Sequence, residues 1–174
     1  DLVAGVILER VDFVRDVPGG RNAARRGVSR ILDVDLDTLV PRVSVERAAD
    51  VGREVAGEFL VDDFVIPNVH TSIFPAITAT TVIKRVDSLG VIETFSVASS
   101  IMAADAGVKA ADVEIIEIRC ATGLGGKSFL YLTGDVDSVK AAVEAGIDVL
   151  EGTGLVLSHV VIPSPTDDIA RSIL

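Results

Sequence analysis

The sequence predicts an α/β protein of the α+β type, built from two tandem copies of one small ferredoxin-like unit. The elements predicted within residues 81–174 follow the order β-α-β-β-α-β, which is the ferredoxin-like arrangement. A segment of the first half, Leu60–Pro67, recurs as Val156–Pro163 with an offset of 96. Apolar residues make up 49% of the chain and aromatic residues only 4%. Cores of Val, Ile, Leu and Ala, with helices packed closely on sheets, are therefore expected.

The repeat extends beyond this one segment and sets the expected domain organisation. Ser44–Gly52 matches Ser138–Gly146 with an offset of 94. A repeat of this length indicates two copies of one structural unit in a single chain. We therefore predict a first domain over residues 1–80 and a second over residues 81–174.

The second copy begins with a strand and a helix. Leu89–Thr94 is a short apolar segment typical of a strand. Beyond it, apolar residues fall at helical spacing, and Ser96 is a suitable N-cap for the helix that they form. Asp112 is expected to end this helix.

The remaining elements of the second copy follow without long connections. A strand over Val113–Ile118 leads into the loop Ala121–Ser128, and the next strand covers Phe129–Thr133. A helix is predicted from Asp135 to about Leu150, and a closing strand over Leu155–Ile162. These elements complete the ferredoxin-like order.

Charge and cysteine content exclude several classes of function. The net charge of −10 argues against a nucleic-acid partner, which requires a basic surface. The chain has neither a run of 18 apolar residues nor a recognisable signal peptide, so no membrane association is expected. The single cysteine, Cys120, cannot form an intrachain disulfide and fits a reducing cytoplasm.

No constellation of residues predicts catalysis or a metal site. His70 and His159 stand at equivalent ends of the two copies, and neither has a neighbouring Cys or His at metal-ligand spacing. Asp105 and Asp112 are interpreted as solvated carboxylates and not as an acid/base pair. The sequence therefore indicates a protein that is not an enzyme.

Gly126-Lys127-Ser128 resembles the end of a phosphate-binding P-loop, but its context differs. The motif requires a glycine at the position of Ala121, and it must open a helix whose N-terminus faces the phosphates. Here a predicted strand follows instead. The glycines are expected to form a side-chain-poor loop that tolerates positive φ.

Five ordered motifs of the second half resemble the bacterial microcompartment shell domain. They are Leu89–Thr94, Ala103–Ala111, Gly125–Lys127, Gly134–Val136 and Val161–Pro165. With two copies, the chain is similar to tandem-domain, trimer-forming shell proteins. The segment Leu60–His70 is most similar to the iron–sulfur type of propanediol-utilisation compartments.

This resemblance implies a structural protein of the shell facet, located in the microcompartment shell in the cytoplasm. A homotrimer would form a pseudohexameric tile with other shell proteins at its edges and a central pore for small metabolites. The residues implied to line the pore are Thr122, Gly123, Leu124, Gly125, Gly126, Lys127 and Ser128. Lys109 matches the edge lysine of the family, and Arg30 is its counterpart in the first copy.

The first copy departs from the family where a cofactor would bind. Ten positions separate Val34 from Ser44, whereas 25 separate Val113 from Ser138, so the counterparts of the pore loop and its following strand are missing. This difference is either a true deletion or a segment that is missing from this sequence. The resemblance implies a cysteine in that loop, and a 4Fe–4S cluster at the trimer axis is expected only if such a loop exists.

Two alternatives to a structural pore tile remain open at this point. One is an electron-transfer tile that carries an iron–sulfur cluster at the pore. The other is a regulatory domain of ferredoxin-like fold that binds a small molecule. Assembly into trimers and sheets would favour the tile over the regulatory domain.

Overall fold

The computed structural model describes residues 42–120 and 125–173. The chain divides into two compact units, Asp1–Asn68 and Val69–Leu174. Residues 69–80 thus belong with the second unit, whereas the repeat alone places the boundary after residue 80.

About half of the first copy of the repeat lies outside the described residues. The proposed first domain includes residues 1–41, which are not described here. That residues 1–80 form a complete shell domain therefore stays a prediction.

The described part of the first unit is a helix followed by a tight turn. Helix α1 spans Arg42–Ala56, and a 3₁₀ turn, Gly57–Phe59, continues it. Arg53 pairs with Asp50 at 2.6 Å and with Asp63 at 2.5 Å, so it ties the helix to the segment that follows the turn. The helix lies where the repeat places the counterpart of the second helix of the second copy.

The second unit contains a four-stranded antiparallel sheet. Its strands are β1, Ser88–Thr94; β2, Val113–Cys120; β3, Ser128–Gly134; and β4, Val156–Ile162. They lie in the order β2-β3-β1-β4, which is the ferredoxin-like order. Each predicted strand of this copy is confirmed, with ends that differ by no more than two residues.

Two long helices of the second unit pack against the sheet. Helix α3 spans Val97–Ala110, and helix α4 spans Val136–Asp148. Helix α3 begins at Val97 because the side chain of Ser96 accepts a hydrogen bond from the backbone N–H of Ser99 at 3.0 Å. The predicted N-cap is thereby confirmed.

Two shorter helices flank these elements and were not predicted. Helix α2, Ile73–Ile77, precedes β1 and packs against β2. Helix α5, Asp167–Ile173, follows β4. Each is too short for an apolar period of 3.6 residues to repeat, so neither leaves a clear periodic signal in the sequence.

The core of this unit lies between one face of the sheet and helices α3 and α4. Its fully buried side chains are mainly branched aliphatics, among them Ile92, Ile101, Leu130, Leu132 and Val139. Each such side chain contributes about 1.5–3 kcal/mol when it is removed from water. The expectation of a core made of Val, Ile, Leu and Ala is confirmed for the described residues of this unit, whereas Phe64 of the first unit is also buried.

Helix α4 crosses β1 unusually closely at one glycine. A Cβ atom at Gly90 would lie 2.7 Å from Cγ1 of Val139 and 3.0 Å from Cγ2 of Val143. Only glycine allows the backbone of β1 to approach the helix to this distance. The opposite face of the sheet carries polar and aromatic side chains, among them Arg119, Phe129 and Tyr131.

Candidate functional site

A hairpin loop joins β2 to β3, and its base is closed by the pairing of the two strands and by a side-chain hydrogen bond. Cys120 pairs with Ser128 in the antiparallel register of the two strands. The hydroxyl of Ser128 donates to the carbonyl oxygen of Arg119 at 3.0 Å, and Ser128 is fully buried. Ser128 therefore holds together the two strand ends from which the loop begins.

The described end of this loop consists of two exposed glycines. Gly125 and Gly126 have φ angles of +65° and +95°, a region that residues with a side chain rarely adopt. Both leave their backbone amides and carbonyls uncovered by a side chain. The other predicted pore residues, Thr122, Gly123 and Leu124, lie outside the described residues.

The side chain of Lys127 extends from the loop toward the end of strand β1. Its ammonium nitrogen lies 3.4 Å from Oε1 of Glu93 and 5.9 Å from the centre of the Phe95 ring. The other carboxylate oxygen of Glu93 accepts a hydrogen bond from Ser158 on β4 at 3.1 Å. Lys127 thus precedes a strand and not a helix, as the sequence predicted, and this geometry excludes a P-loop.

A second cluster lies on β2 and β3 near the same hairpin. Arg119 pairs with Glu117 at 2.8 Å and stands 5.2 Å from the centre of the Tyr131 ring, which stacks on Phe129. The hydrogen bond to Glu117 raises the pKa of Arg119 above its ordinary value, so the guanidinium stays charged. This cluster adds a fixed cation–carboxylate pair beside the loop.

The predicted edge residue Lys109 lies in the last turn of α3. Its ammonium group pairs with Asp105 at 2.5 Å, and 40% of its side chain is exposed. Asp105 is only 6% exposed and also accepts the backbone N–H of His70 at 2.8 Å. The interpretation of Asp105 as a solvated carboxylate was therefore wrong. Arg30, the counterpart of Lys109, lies outside the described residues.

The residues present in one chain do not supply the ligands of an iron–sulfur cluster. Cys120 is the only cysteine of the sequence, and its thiol donates to the carbonyl oxygen of Ile118 at 3.3 Å. Across residues 42–120 and 125–173, no three His, Cys, Asp or Glu side chains form a group that could hold a metal ion. Such clusters generally require several cysteine thiolates.

No helix within residues 42–120 and 125–173 combines the length and the apolar character that crossing a membrane requires.

Comparison with known proteins identifies the family. The chain is 37% identical over 131 residues to the bacterial microcompartment shell protein PduT of Citrobacter freundii. The match covers 75% of this chain and 71% of that relative. The chain belongs to the bacterial microcompartment shell proteins.

Further matches agree with this family. The family model described as the BMC domain matches residues 88–165. A crystal structure of a microcompartment protein from Desulfitobacterium hafniense DCB is similar with a TM-score of 0.67 and 44% identity, and the match covers 75% of this chain and 72% of that one. The carboxysome shell protein CsoS1B of Halothiobacillus neapolitanus is 42% identical over 76 residues, which cover 42% of this chain and 67% of that protein.

These matches confirm several predictions from the sequence. The protein is a structural component of a microcompartment shell and not an enzyme. The family model covers one copy of the repeat, in the second unit. The similarity to PduT, at 131 residues, is longer than that one domain and is consistent with a tandem arrangement.

Proposed function

We propose that this shell protein forms a homotrimeric tile, in which two copies per chain create a pseudohexamer around a central pore. Three identical chains related by rotation close into a ring through head-to-tail contacts. The pore would be surrounded by the hairpin loop over residues 122–127, with Ser128 at its base. Other shell proteins would contact the edges of the tile.

The hairpin loop is the observation that carries this proposal. Its described glycines hold positive φ angles and have no side chains, so identical loops from neighbouring chains can approach closely. Their uncovered amides and carbonyls can form hydrogen bonds with a polar solute in transit. The buried Ser128 and its bond to Arg119 keep the base of each loop in place.

Lys109 is proposed as the contact residue at the tile edge. Its partly exposed side chain is held by Asp105, so the ammonium group has a preferred position and retains donors for an acceptor on a neighbouring tile. Arg30 would serve the same role in the first copy, by its place in the repeat.

Sedimentation equilibrium tests the trimer directly. The chain has a mass of 18.2 kDa, and the proposed assembly has three times this mass. A single species of that mass at micromolar concentration is expected. A stable monomer under these conditions would contradict the proposal.

Thiol cross-linking tests where the loop lies in the trimer. In a Cys120→Ser background, Leu124→Cys should give covalent dimers and trimers with a short trifunctional maleimide, because three loops meet at the axis. Lys140→Cys, on the exposed side of α4, is the matched control and should stay monomeric on a denaturing gel. Equal cross-linking of the two variants would refute a loop at the axis.

Measurement of iron and acid-labile sulfide tests the alternative that the tile carries an iron–sulfur cluster and transfers electrons. Both are measured on protein purified without oxygen. For a tile that acts only as a structural pore, we expect neither element in stoichiometric amount. Three or four irons per trimer, lost in Cys120→Ser, would instead assign the cluster to Cys120 of three chains.

A further inference from the structure

Among the described residues of the hairpin loop, Lys127 is the one that carries a positive charge. It directly follows Gly126 and directly precedes strand β3. A lysine side chain has several rotatable bonds, so an unpaired ammonium group at this position could swing over a wide arc. The contacts that orient the Lys127 side chain therefore determine whether its positive charge lies close to the loop.

Two groups, one in strand β1 and one directly after it, contact the ammonium group of Lys127. Oε1 of Glu93 lies 3.4 Å from the ammonium nitrogen, and the Phe95 ring provides a cation–π contact at 5.9 Å. The side chain of Glu93 is 18% exposed and that of Lys127 is 41% exposed. Because the carboxylate is largely shielded from water, this pair is less screened than an ordinary surface ion pair.

Glu93 is itself held in place from the opposite side. Its second carboxylate oxygen accepts the hydroxyl of Ser158, its register partner on β4. The pairing of β1 with β4 shifts immediately after Glu93, between Glu93 and Thr94. A bulge of this kind re-aims nearby side chains, and it marks the point where β1 turns toward Phe95.

We infer that Glu93 is a specificity-determining residue of the proposed pore: it holds and neutralises Lys127, so that this ammonium group adds no net positive charge beside the loop. This inference rests on the proposed pore. Without Glu93, three released ammonium groups would add positive potential near one axis and favour anions over cations and neutral solutes. The pair of Glu93 and Lys127 thus removes a preference for anions that Lys127 alone would give the proposed pore.

Chemical labelling tests the first half of the inference without any transport. Glu93→Gln keeps the shape and the hydrogen bond from Ser158 but removes the charge. Acetylation of Lys127 by a limiting amount of an N-hydroxysuccinimide ester, quantified by peptide mass spectrometry against Lys140 of the same sample, should rise about threefold, the factor expected for a partly exposed ion pair.

Glu117→Gln is the matched control for this labelling. It removes a carboxylate on the same face of the sheet that pairs with Arg119 and not with Lys127. It should leave the labelling ratio of Lys127 unchanged. Ser158→Ala, which frees one side of Glu93, should give a smaller rise than Glu93→Gln. Equal ratios in wild type and Glu93→Gln would overturn the inference.

Conductance in planar lipid bilayers tests the second half. In a potassium chloride gradient, Glu93→Gln should shift the reversal potential toward anion selectivity. The double variant with Lys127→Gln should return it to the wild-type value, and Glu117→Gln should shift it less. An unchanged reversal potential would refute the selectivity role. A wild-type protein without conductance would refute the pore itself, while the labelling still decides whether Glu93 holds Lys127.

Discussion

Asp105 links two parts of the second unit that are far apart in sequence. Its carboxylate accepts the backbone N–H of His70, 35 positions earlier, and pairs with Lys109 one helical turn later. A buried carboxylate is tolerated because both oxygens have donors. This single residue thus fixes the segment before α2 and the direction of the proposed edge lysine together.

Asp105→Ala should destabilise the protein by about 1–3 kcal/mol, because it removes the buried, charged acceptor of the His70 backbone N–H and of Lys109. Chemical denaturation measures this change in the free energy of unfolding. Asp137→Ala is the control, since Asp137 is almost fully exposed and lies 3.5 Å from Lys140. Its effect should remain below about 0.5 kcal/mol. Similar losses in both variants would contradict the role of Asp105.

Gly90→Ala should also destabilise the second unit, by about 1–3 kcal/mol, because the new methyl group overlaps Val139 and Val143. Gly52→Ala in α1 meets no atom within 4 Å and replaces a poor helix former. It should therefore be neutral or stabilise by up to about 1 kcal/mol. Thermal unfolding of the two variants separates steric overlap from a general intolerance of alanine.

At the scale of elements, helix starts and strand alternation were predictable because they depend on neighbouring residues. Ser96 marks the start of α3, and its capping bond spans three positions. The contacts of Asp105 and Glu93 were missed for the opposite reason. Their partners His70 and Lys127 lie 35 and 34 positions away, and a backbone N–H has no signature in the sequence.

Ser96→Ala tests the contribution of a cap to α3. The loss of its bond to Ser99 should cost about 1 kcal/mol of stability. Asp135 occupies the equivalent position of α4, but its side chain makes no capping hydrogen bond. Asp135→Ala should therefore cost less than about 0.5 kcal/mol, mainly through the helix dipole. A larger loss in Asp135→Ala than in Ser96→Ala, by urea denaturation, would reverse this ranking.

At the scale of the whole molecule, the proposed edge role of Lys109 predicts different effects on trimer formation and on the association of trimers into sheets. Lys109→Ala removes an ammonium donor at the end of α3 and should abolish or weaken sheet formation between tiles, while the trimer mass is unchanged. Electron microscopy of the assemblies and sedimentation of the trimer measure the two levels. Lys140→Ala, an exposed lysine on α4, should leave both unchanged. Normal sheets from Lys109→Ala would refute the edge role.

The closed base of the β2–β3 hairpin also has a consequence for how such a protein can diversify. Because Cys120 pairs with Ser128 and the Ser128 hydroxyl bonds to Arg119, the sheet register is set below the loop. The residues between these strand ends can then change in length or chemistry without shifting any strand of the sheet. Substitutions or insertions confined to this loop are therefore expected to leave the four-stranded sheet intact.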